Sequence, residues 1–172
     1  MYAKTTIVIF TLLCMLSVTA VAEGSFIRKR EAGHPNTPIS RLWALQKDAD
    51  IEVRETLARN RKAPIELLAI LAEDDSPRVR IAVATNLKTT EATHLKLAQD
   101  SNIDVRSVVA RFEYIPAAVL NTLANDQSAD IRIEVAGNLN TSAETLRRLA
   151  QDSYAEVRQI AEKRLQGIRS EE

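Results

Sequence analysis

The chain is poor in the residues that most small catalytic sites are built from. Among 172 residues there are one cysteine, two histidines, one tryptophan and four glycines, and aromatics make up only 4%. A single cysteine excludes a disulfide scaffold. Two histidines and one cysteine leave little for a zinc or haem site. There is no excess of one charge: 23 Lys and Arg balance 23 Asp and Glu, which removes the basic field of an electrostatic nucleic-acid binder. With 45% hydrophobic residues the chain is too apolar to be wholly disordered.

Residues 1–22 read as a secretory signal. Lys4 gives a thin positive start, Thr6 to Val18 an apolar core, and Ala20-Val21-Ala22 a small-residue cleavage signature before Glu23. The apolar core is short for a membrane span, which needs about 20 residues. Arg28-Lys29-Arg30 supports the alternative of an uncleaved 1–22 anchor with the domain on the cytoplasmic side. Cleavage leaves 150 residues without cysteine, so thiolate and cysteine-ligand chemistry leaves with the signal. Residues 23–36 carry Gly, Pro and charge without a period and read as a flexible tether.

The remainder repeats itself. Asp recurs at 48, 74, 100, 126 and 152, followed each time by an apolar–Arg pair that ends at Arg54, Arg80, Arg106, Arg132 and Arg158. The step is 26 residues throughout, giving units 37–62, 63–88, 89–114, 115–140 and 141–166 and a polar tail, 167–172. A fixed period of this length predicts a solenoid.

Each unit predicts two helices. The first opens at Pro38, Pro64, Thr90, Pro116 or Ser142, with Thr141 and Glu144 as a capping box, and carries Leu three residues apart, as at Leu42 and Leu45. The second is capped by Asp50, Ser76, Asn102 or Ser128 and buries a Val/Ile, Leu/Val, Ala stripe. Asn60, Asn86 and Asn138 end it, in the left-handed conformation that Asn tolerates at a C-cap.

The phrase Leu-Ala-x-Asp-x(4)-Val-Arg-x(3)-Ala-x-Asn resembles the leucine-rich repeat variant family, and more broadly HEAT-like repeats. The resemblance implies an all-α, right-handed solenoid of alternating short helices, α or 3₁₀, and brings no catalytic residue with it. Ordinary leucine-rich repeats are not matched, since no Leu-x-Leu strand signature is present.

The Asp and Arg columns read as a structural ladder: each Asp can cap the second helix and pair with an Arg of its own or the next repeat. Departures from the consensus mark the candidate binding residues. Phe112 replaces the Asn of the third repeat and Tyr114 a polar residue, while His94 stands where other repeats have Leu, as a half-buried variant. His34 reads as solvated, and Trp43 as the cap at the end of the core. Ile81, Val108 and Ile133, rimmed by Arg111 and Glu134, would form an apolar centre on the inner layer that the HEAT resemblance implies. The pattern points to a non-catalytic, exported scaffold, periplasmic or secreted, that holds a protein or peptide. The alternatives are an envelope spacer or self-assembling array, or an enzyme of the kind known among HEAT-like solenoids, which excise bases or attach chromophores. No catalytic, cofactor or metal site is expected, nor nucleic acid, nor a membrane beyond transient contact through the signal segment. The mature chain is expected to begin at Glu23; intact-mass measurement that finds Met1 retained would favour the anchor.

Overall fold

The computed structural model describes residues 24–170, and there the chain is helical without a strand. Eleven helices follow one another: α1 (24–33), α2 Ile39–Leu45, α3 Ile51–Arg59, α4 Ile65–Leu71, α5 Pro77–Ala84, α6 Glu91–Leu97, α7 Ile103–Arg111, α8 Ala117–Leu123, α9 Ala129–Gly137, α10 Ala143–Leu149 and α11 Ala155–Ser170. The signal and its cleavage point lie outside the described residues.

The architecture is the expected α-solenoid. Second helices stack in register, α3 on α5, α7, α9 and α11, and the shorter first helices form the other layer. The leucine columns of the first helices, from Leu42 and Leu45 to Leu146 and Leu149, are at most 2% exposed. The stripes Val53-Leu57-Ala58, Val79-Val83-Ala84, Val105-Val109-Ala110 and Ile131-Val135-Ala136 are equally buried. Each large aliphatic contributes about 1.5–3 kcal/mol. Helices of seven to nine residues are marginal alone, so this burial between neighbours is what makes them form.

One polar ladder joins the turns between the helices of each repeat. The guanidinium of Arg54 grips the Asp74 carboxylate of the next repeat at 2.6 and 3.0 Å, and its third nitrogen donates to the Asp48 carbonyl at 2.6 Å. Arg80 repeats this with Asp100 and the Asp74 carbonyl. Arg106 does so with Asp126, and Arg132 with Asp152. Each carboxylate also accepts an N–H two residues on: Asp50, Ser76, Asn102, Ser128 and Tyr154, at 2.8–3.0 Å. The Asp thus fixes the residue that opens the second helix. Ser76 and Ser128 make no cap bond of their own, whereas Asp50 and Asn102 do.

A second ladder lies on the opposite edge. The Asn60 side-chain amide donates to the carbonyls of Ala32 and His34, that of Asn86 to Ala58 and Asn60, and that of Asn138 to Ala110 and Phe112. The Ala32, Ala58 and Ala110 carbonyls lie in the last turn of the preceding second helix and lack an intrahelical donor, while those of His34, Asn60 and Phe112, just beyond it, also accept an N–H from three residues on. Meanwhile each Asn side-chain oxygen accepts an N–H two residues on.

Six expectations change. Each ladder Asp takes the Arg of the preceding repeat, not of its own or the next, because the Arg of its own repeat turns back to that Asp's carbonyl and reaches forward with the rest of its fork. The segment read as a flexible tether, 23–36, is helical over 24–33 and belongs to the array. Arg28 holds Asp48, Lys29 holds Glu52, Ser25 bonds Asp50, and Ala32 is fully buried. It is the second half of an earlier repeat, 26 residues before Arg54 and Ala58. The polar tail 167–172 gives way to helix through Ser170, because nothing after Arg164 imposes a turn. Asn60 and Asn138 are extended (φ −69°), and no described residue has positive φ, because the Asn side chain bridges repeats instead of relieving a left-handed turn. Pro38, Pro64 and Pro116 stand one residue before their helices, extended at ψ 142–150°. Finally, Thr141 donates to the Val135 carbonyl, and Ser142 is the residue that caps α10.

Asp100→Ala should cost about 1–3 kcal/mol by denaturant titration, since it strips Arg80 and the Asn102 N–H of an acceptor together. Asp48→Ala should release α1 alone, seen as faster amide exchange over 24–33 with the rest of the array protected.

Candidate functional site

The third repeat is where the array departs from its own rule, and the departure is an exchange. Position 112 carries Phe where the ladder has Asn, and position 94 carries His where the first helix has Leu. The Ala84 carbonyl, which a ladder Asn would have served, accepts instead from His94 Nε2 at 3.0 Å. A carbonyl only accepts, so Nε2 carries the proton and Nδ1 does not. That Nδ1 is buried and has no hydrogen-bond partner. His94, expected half-buried, is only 3% exposed because it serves a core carbonyl. Its ring lies 6.1 Å from Phe112, which meets Tyr114 edge-on at 5.7 Å. Polar and apolar side chains have traded places, and the carbonyl keeps its donor.

The proposed inner-layer residues are less open than the sequence implied. Ile81, Val108, Phe112 and Ile133 are half-buried and pack against the core, because stacked second helices share these positions. Trp43 likewise packs at the core margin. Arg111 faces Glu134 across 3.7 Å, and both remain accessible. Tyr114 is well exposed, at 63%. The structure therefore brings Phe112, Tyr114 and His94 together, and it separates Ile81 and Ile133 from them by one repeat each.

Leu87 and Leu139, missed from the sequence, are large apolar side chains exposed as far as Tyr114, at 62 and 80%. They occupy the turn that follows the ladder Asn, as does Tyr114 in the third repeat. An apolar residue in a turn column otherwise held by Arg61 and Glu113 was the available signal.

Shallow hollows of about 650 and 640 Å³ open between consecutive Asp turns, lined in part by Asp48, Asp74 and Asp100. These carboxylates are already bound to arginine. Burial by itself would raise Asp74 and Asp100, but the arginine and N–H bonds overcome it and hold both below the ordinary carboxylate range. Asp152 is lowered chiefly by its bond from Arg132. Among the described residues no group of three or more His, Cys, Asp and Glu is placed to hold a metal ion.

The chain is similar to a leucine-rich repeat variant. That solved structure, described as having a novel repetitive protein structural motif, is 26% identical over 81% of this chain, with a TM-score of 0.40. The chain spans 65% of its length. No family model and no curated protein matches the chain.

Burial lowers His94 below its ordinary 6.5, with the Ala84 bond opposing. The unfolded chain therefore takes up that proton first. Stability should be full above pH about 6.5, fall below it, and level off once the folded ring titrates. The lowered aspartates add a second loss only below their ordinary 3.8. His94→Leu and Phe112→Asn should each cost about 1–3 kcal/mol. Together they restore the consensus and should recover part of that, a coupling of about 0.5–3 kcal/mol. The double variant should also lose the first pH step.

Proposed function

We propose that the protein is an exported, non-catalytic scaffold that binds a protein or peptide on its second-helix layer, around the third repeat. The observation that carries this reading is the cluster formed by exposed Tyr114, the Phe112 ring behind it and the Arg111–Glu134 pair beside it. Aromatic anchors next to accessible charges concentrate binding energy. The cluster lies mid-array, where neighbouring repeats hold it rigid.

Support against catalysis comes from the ladders. The conspicuous charges, Asp74 to Asp152 and Arg54 to Arg132, are bonded to one another, and Asp48 to Arg28, so they serve packing. Export rests on the Ala20-Val21-Ala22 signature. A spacer or self-assembling array is the competing reading, and it predicts contacts through the ends of the solenoid.

A photoreactive residue at Val108, activated in the native compartment, should capture a partner, and one at Tyr154 should not. Capture of further copies of this chain from Tyr154, with none from Val108, would favour the spacer.

A further inference from the structure

His94 sits in a place built for a neutral ring. It is 3% exposed, its Nε2 donates to the Ala84 carbonyl at 3.0 Å, and its Nδ1 is buried with no hydrogen-bond partner. A second proton would turn Nδ1 into a charged donor that faces no acceptor, a state relieved by bringing the ring to water. The surrounding charges are committed elsewhere. On its own helix, α6, Glu91 is exposed and Lys96 pairs with Glu73. On α5, Arg78 pairs with Glu55 and Arg80 with Asp100. On α7, Arg106 is held by Asp126 and Arg111 faces Glu134, while Asp104 and, just past the helix, Glu113 are exposed. The neighbouring α8 carries no titratable side chain. Burial, opposed by the Ala84 bond, sets the proton affinity of the ring.

What covers the ring sets its way out. Three rings follow one another outward: buried His94, then half-buried Phe112 at 6.1 Å, then Tyr114, which meets Phe112 at 5.7 Å and is 63% exposed. The Phe112 backbone is fixed, since its carbonyl accepts from the Asn138 amide and the Ile115 N–H, and its own N–H bonds the Val108 carbonyl. The Phe112 side chain is therefore the part that gives way. An imidazolium moving toward water displaces that ring, and Tyr114 loses the support it meets edge-on.

We infer that His94 is an acid-operated latch on the third repeat: its second proton drives the imidazole off the Ala84 carbonyl, turns Phe112 out of its seat and so dismantles the surface at Tyr114. The inference rests on the scaffold reading for what that surface holds, whereas the ring movement stands without it. The chain's other histidine, His34, is exposed and lies far from the third repeat in the array, beside the end of α1.

The test follows the ring resonances of His94, Phe112 and Tyr114 through a pH titration of the full chain carrying His34→Gln. Photo-capture at Val108 is then compared one pH unit above and one below the His94 midpoint so found. The Phe112 and Tyr114 resonances should shift with the His94 midpoint. One unit below it about a tenth of the molecules keep the neutral ring, so capture should fall about tenfold. His94→Gln offers Ala84 an amide donor that does not titrate, and its capture should be the same at both pH values. Where that variant does not fold, His94→Leu with Phe112→Asn takes its place, and Tyr114 should then cease to follow pH in this range. Phe112 and Tyr114 resonances that stay still while His94 titrates overturn the inference. So does an equal loss of capture in His94→Gln, which puts the pH dependence in the partner. Rings that move together without capture at any pH uphold the latch and count against the scaffold reading instead.

Discussion

Everything in this fold hangs on one guanidinium that reaches two turns at once. Arg54, Arg80, Arg106 and Arg132 each donate to a carbonyl of their own turn and to the carboxylate of the next. A planar fork can do this and a lysine ammonium cannot, which explains why the column is Arg throughout. It also explains the unbroken period. One inserted residue between Arg80 and Asp100 would carry the carboxylate out of reach of a fork already fixed to the Asp74 turn. The Arg106–Asp126 pair is nearly buried, its side chains 8 and 5% exposed, so an unpaired member would be costly there.

The two ladders divide the labour between charge and neutrality. On one edge, buried charge is acceptable because the arginine fork answers both carboxylate oxygens and one of them, Oδ1, takes a backbone N–H as well. On the other, the orphan carbonyls at the ends of the second helices need donors only, and a neutral Asn amide supplies them without a counter-ion. The edges therefore differ in what they leave over. The Asp edge has its acceptors consumed by charged donors, while the Asn edge adds further donors to backbone carbonyls across repeats, from Lys88 to Ala63 and from Asn140 to Glu113 and Ile115.

How much of this was legible follows from where the information sits. The period, the leucine columns and the second-helix stripes are statements about spacing, and spacing survives in sequence. The half-repeat at 24–36 was also present, as Ile27-Arg28 and Ala32 at the correct distance before Val53-Arg54 and Ala58. It was hidden because His34 stands in the Asn column and no ladder Asp precedes it. Asn60 was misread for a different reason: a C-terminal Asn suggests a local left-handed turn, whereas its real partner, the Ala32 carbonyl, is 28 residues away. Register between repeats, and the edge to which a turn belongs, became visible only once the stack was assembled.

The third repeat shows that the ladder constrains carbonyls more than it constrains residue types. What the array requires near Ala84 is a donor, and His94 reaches the carbonyl from the first helix of the next repeat, ten residues on. Once that requirement was met from elsewhere, position 112 no longer had to be Asn. An aromatic there fills the space beside the imidazole and gives Tyr114 a ring to rest against. The exposed aromatic is thus a consequence of a buried exchange, because Tyr114 would have no flat support beside an Asn. The partly exposed surface around the third repeat, which carries the scaffold reading, exists because a histidine took over one hydrogen bond in the core.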